Sequence, residues 1–93
     1  MNYTQTKEVI EHHQLKSGSS VTYKGDHYDV IRLLPLPSDE THMREYIDTY
    51  LALYPTVDTT EVEKKLVEAE DLTVGALIKT DVIYRLVKVD ELM

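Results

Sequence analysis

Between Ser38 and Pro55 the apolar residues Met43, Ile47, Leu51 and Tyr54 recur at spacings of four, four and three, the period of an α-helix. Ser38 stands where an N-cap is needed, and Asp39 and Glu40 suit the positive end of the helix dipole. Pro55 stops the pattern. A helix over 39–54 is therefore expected. Leu53, Tyr46, Tyr50, Met43, Tyr54, Ile47 and Leu51 spread over an arc of about 160°, wider than the roughly 100° that one core contact uses. Core packing is the expected use of Tyr50 and Tyr54. Tyr46 and Leu53 lie at the margins of the arc. Tyr46, Tyr50, Leu53 and Tyr54 together form the candidate interface.

Elsewhere the pattern changes period. Val21 to Lys24 alternates apolar with polar, Lys24-Gly25-Asp26 supplies turn chemistry, and Tyr28 to Leu34 returns as a β-rich strand. Pro35-Leu36-Pro37 reads as a linker, since proline suits neither helix interior nor central strand. A second hairpin is expected from Val74–Lys79, a turn near Thr80-Asp81, and Val82–Val89. Thr6 to Leu15 reads as a short helix capped by Thr6 and ended by Gly18. Thr60 to Glu70 reads as a third helix, with Thr60 and Glu63 at capping-box spacing. The alternation of Val62, Lys64 and Leu66 leaves a strand open there. Asp90 to Met93 is a polar tail.

Two phrases of the chain resemble each other. Placing Leu15 on Leu72 puts Gly18 on Gly75, Val21 on Ile78 and, with one residue fewer in the second turn, Tyr28 on Tyr84. The chain thus reads as a helix–hairpin unit used twice, over 6–34 and 60–90, around the helix 39–54. The expected fold is α+β, one domain over 1–93. Two antiparallel β-hairpins would form a small sheet with three helices, in the order αββ-α-αββ, related by an internal pseudo-two-fold.

Charge sharpens the picture. Residues 38–73 carry three basic and ten acidic side chains, which is the whole net charge of −7. Nucleic-acid phosphates and anionic lipids would be repelled there, so neither direct nucleic-acid binding nor a membrane partner is expected. The acidic stretch is either a solvated face or a docking face for a basic partner. A version in which Asp39, Glu40, Glu45 and Asp48 imitate a phosphate backbone needs them on one surface. The chain has no Cys, which removes disulfides and thiolate chemistry. No apolar run approaches the ~20 residues of a membrane span, and residues 1–8 hold no apolar signal core. A cytoplasmic location is expected.

Few residues suggest chemistry. His12 and His13 are neighbours, about 100° apart on a helix. Glu8 and His12, at i and i+4, offer two ligands where zinc takes three or four. Glu8-Val9-Ile10-Glu11-His12-His13 lacks the metalloprotease spacing, and Lys16-Ser17-Gly18-Ser19-Ser20 lacks that of a phosphate loop. No catalytic, metal or cofactor residue and no small-molecule ligand is expected. The function expected is a non-enzymatic protein–protein interaction or homodimerisation module. The alternatives are an acidic regulator of a basic, nucleic-acid-associated protein, and a small metal-binding protein or enzyme.

Overall fold

The computed structural model describes residues 1–13, 17–54, 62, 64–68 and 71–92. Its first helix, α1 (Tyr3–His12), starts earlier than the sequence pattern indicates, because Asn2 and Gln5 form a capping box. Asn2 Oδ1 accepts from the Gln5 N–H (2.8 Å) and Gln5 Oε1 accepts from the Asn2 N–H (3.0 Å). Thr6 is no cap. It is fully buried, and its hydroxyl donates to the Asn2 carbonyl.

β1 (Ser20–Tyr23) and β2 (Asp26–Pro37) form the first hairpin. Lys24 and Gly25 both take positive φ, +50° and +86°, the two-residue turn whose twist matches that of the strands. α2 (Glu40–Leu53) follows, capped by Asp39 rather than Ser38. Then come a 3-10 helix (Lys65–Glu68), β3 (Leu72–Lys79), β4 (Tyr84–Lys88) and a closing 3-10 turn (Val89–Glu91). The fold is α+β, with the four strands antiparallel in the order β1-β2-β3-β4. Among the described residues no helix is long and apolar enough to cross a membrane.

Three expectations change. First, two α-helices rather than the expected three are laid out among the described residues. Where the third was expected, Val62 and Lys64 are helical and Lys65–Glu68 forms a 3-10 helix, while Thr60 and Glu63 lie outside the described residues. Second, the two phrases are not equivalent in space. Gly18 sits in a turn at φ +89°, whereas Gly75 lies inside β3, against Leu36. Tyr28 is buried, whereas its counterpart Tyr84 is exposed; Leu15 lies outside the described residues. Third, Pro35-Leu36-Pro37 is no linker but the end of β2, opposite Val74, Thr73 and Leu72.

Strand parity explains those prolines. β1 reaches along β2 only as far as Asp29, so the rest of β2 has a strand on one side only. The Ser38 N–H donates to the Asp71 carbonyl (3.1 Å). By alternation the groups of residues 34, 36 and 38 face β3, while positions 35 and 37 face away. Each proline thus lacks a donor that would have had no ladder partner.

A bulge at Ile31, between the pairs Val30–Ile78 and Arg32–Leu77, reverses which face the even positions occupy. Tyr28 and Val30 join Val21, Ala76, Ile78 and Val87 on one side. Leu34 and Leu36 join Leu77, Leu86, Tyr46 and Tyr50 on the other, under α2, in a cluster that also takes in Val62, Leu66 and Leu72. The strands therefore bury side chains on both faces. The breadth of the arc on α2 has the same origin: the helix packs against the sheet and also shares a cluster with Val62 and Leu66.

Candidate functional site

Tyr46 and Tyr50 of α2 and Tyr54 at its C-cap, each four residues from the next, form a row, and a fourth tyrosine from β4 continues it. Ring centroids lie 5.9 Å apart for Tyr46–Tyr50, 6.0 Å for the stacked Tyr50–Tyr54 pair and 5.3 Å for the edge-on Tyr54–Tyr84 pair. The row runs from the interior to the surface. Tyr46 (7 % exposed) and Tyr50 (0 %) belong to the core, Tyr54 is half-buried, and Tyr84 is 41 % exposed. Of the residues expected at an interface, Tyr46 and Tyr50 are thus enclosed by the single chain. Leu53 and Tyr54 are half-buried near the C-terminal end of α2, with Tyr54 against Tyr84.

Past Tyr84 the apolar surface continues. Ile83 is 39 % exposed and Val82 is 92 % exposed. The turn before β4 holds them there. The Thr80 hydroxyl accepts from the N–H groups of Val82 (3.3 Å) and Ile83 (3.2 Å), and the Thr80 N–H donates to the Ile83 carbonyl (2.9 Å). This local bonding fixes the turn and leaves the Val82 side chain in water. β4 is the last strand of the sheet, paired with β3 alone among the described residues. Its other face is tied down: the Arg85 Nε donates to the Tyr28 hydroxyl (2.9 Å) across β3. The alternation of the chain marks Val82 to Val89 as a strand, yet nothing local in it says that Val82 and Ile83 belong to the turn or that β4 ends the sheet.

A cleft of about 830 Å³ lies at the N-terminal half of α2. Pro37, Tyr46, Val62 and Leu66 line it with apolar surface, and Asp39, His42, Glu45, Lys65 and Asp71 give it charge of both signs. Asp39 is already committed. Its Oδ1 accepts from the His42 N–H (2.9 Å), and the imidazole Nδ1 stands 3.0 Å away. That amide, helped by the imidazole, holds the Asp39 carboxyl below its usual value. Asp71 is also held low, chiefly by the amino group of Met1. The four histidines are spread over α1 and its C-cap, β2 and α2. Among the described residues no group of three or more His, Cys, Asp or Glu is placed to hold a metal ion.

The cap gives a pH signature. A carboxyl whose folded-state pKa is depressed stabilises above its unfolded value and loses that contribution as pH falls through the folded value. Between about pH 5 and pH 2 the wild type should therefore lose more stability than Asp39→Asn, which keeps an oxygen acceptor without the titration. Asp71 titrates in both proteins, so thermal midpoints compared across that range isolate Asp39. Parallel curves would remove the carboxylate from the stability of α2.

On α2 the carboxylates of Asp39, Glu40, Glu45 and Asp48 are all exposed. Arg44 interrupts them. It stands four residues from both Glu40 and Asp48, with its Nη2 4.0 Å from Glu40 Oε1.

The fold defines a small α+β protein in which, among the described residues, the outer edge of β4 is open and headed by exposed apolar residues. Neither the known protein families, nor the curated proteins, nor the solved structures give a match to the chain.

Proposed function

We propose that the chain is a non-enzymatic protein-interaction module whose contact surface is the outer edge of β4 and the apolar residues at its head. The observation that supports this most is the run Val82-Ile83-Tyr84, three consecutive large apolar residues left exposed. Single exposed apolar side chains are ordinary, but a contiguous group beside an open strand edge is a docking feature. Tyr54 and Tyr84 add rings that are apolar yet tolerate water, the usual anchors of interfaces. The acidic-regulator reading has less support, because Glu40, Arg44 and Asp48 alternate in sign along α2.

A photo-reactive residue placed at position 82 or 84 tests the surface in living cells. Discrete cross-linked species are expected from both positions and not from Thr4, an exposed residue on α1. Cross-linking no stronger at 82 and 84 than at 4 would end this reading.

A further inference from the structure

We infer that a second copy of this chain pairs with β4 edge to edge about a two-fold axis through Leu86, which makes one continuous sheet across two molecules. The inference rests on the interaction reading above and names the occupant and the register.

The backbone determines which groups are on offer. The Thr80 N–H donates to the Ile83 carbonyl, and these residues continue the β3–β4 register, in which Lys79 faces Tyr84 and Ile78 faces Arg85. Hydrogen-bonded and non-bonded pairs alternate along an antiparallel ladder. Ile78–Arg85 and Ala76–Val87 are therefore the bonded pairs. The N–H and C=O groups of Tyr84, Leu86 and Lys88 face outward, away from β3.

A two-fold through Leu86 engages all of those groups. Leu86 pairs with Leu86 of the second copy, and Tyr84 pairs with Lys88 in both directions. Moving the axis to Val87 would pair Tyr84 with Asp90, which lies in the 3-10 turn. Moving it to Arg85 would pair Lys88 with Val82, which lies in the hairpin turn, and set arginine directly against arginine. Side chains select the same register. Lys88 meets the exposed ring of Tyr84, a cation on an aromatic face, and Arg85 meets Val87. No like charges stand directly opposed within β4. The two Arg85 side chains are diagonal to each other, and each is already held by its own Tyr28. β1, at the other margin, presents Ser20, Val21, Thr22 and Tyr23, of which none is an exposed large apolar residue.

Lys88→Pro separates assembly from folding. Lys88 has φ −69°, which proline adopts without strain, and its N–H takes no part in the β3 ladder. The variant should keep its circular dichroism and urea midpoint at low concentration. Its dimer, measured by sedimentation equilibrium, should be weaker by at least about tenfold, because each copy loses an outward donor and gains a ring in the way.

Cysteine pairs read the register, since the chain has no other thiol. Directly opposed Cα atoms lie about 5.5 Å apart, within disulfide reach. Tyr84 of one copy lies about 13 Å along the strand from Tyr84 of the other. Mixing Tyr84→Cys with Lys88→Cys chains should give a disulfide dimer on mild oxidation, which neither variant gives alone. Equal cross-linking in the single-variant samples overturns the register. A wild type that stays monomeric at every concentration overturns the two-fold pairing. If residues 82 and 84 then still cross-link to a different protein, the interaction reading stands without it.

Discussion

Tyr50→Ala is expected to cost about 3–5 kcal/mol, the usual range for deleting a buried aromatic ring. A domain of this length has a total stability of roughly 5–14 kcal/mol, so the loss is a large share of the whole. Tyr50 is fully buried and stands between the rings of Tyr46 and Tyr54. Its removal opens a cavity in the cluster that joins α2 to β2, β3 and β4. Neither neighbour can collapse into the gap, because each is fixed to α2 one turn away. At about 4–8 °C per kcal/mol for a chain of this size, the thermal midpoint should fall by some tens of degrees. Tyr50→Phe keeps the ring and should cost much less. Urea unfolding of the two variants checks both statements. A loss below about 1 kcal/mol for the alanine variant would mean that α2 is not anchored through this ring.

Gly75→Ala is the second large effect, and it acts through crowding. A Cβ built on Gly75 would overlap Cδ1 and Cγ of Leu36 on the neighbouring strand and come within 3.3 Å of the Leu34 carbonyl oxygen. Leu36 is fully buried and has nowhere to swing, so the strands must separate. Overpacking of this kind costs about 1–3 kcal/mol. The cause can be isolated. In a Leu36→Ala background the same Gly75→Ala change should cost much less, because the obstructing side chain is gone. Additive losses in urea unfolding would place the strain elsewhere.

What could be read from the chain follows how local the deciding chemistry is. The first hairpin is legible because Lys24-Gly25 determines its own turn. α2 is legible because its apolar period runs unbroken up to Pro55, although the cap falls on Asp39 rather than on Ser38. The strand nature of Pro35 and Pro37 is not legible, because it depends on where β1 stops along β2. The likeness of Gly18 to Gly75 misleads for the same reason. One glycine serves a turn and the other a contact between strands, and only the partner Leu36 distinguishes them. At the candidate site Tyr54 can be found from helical periodicity. The outward set Tyr84, Leu86 and Lys88 cannot, since it depends on strand order and on the parity set by the Thr80 turn.

The prolines at the end of β2 have a wider consequence. Beyond β1, which covers only four residues, that margin offers no amide at positions 35 and 37 for a newcomer to grip. Growth of the sheet is thus discouraged along that stretch of one flank, while on the other the inferred symmetric union would consume the site that makes it. If two copies pair as inferred, only the four residues of β1 would remain as a strand edge on each side, which would hold down the risk of fibres that an exposed valine and isoleucine otherwise carry.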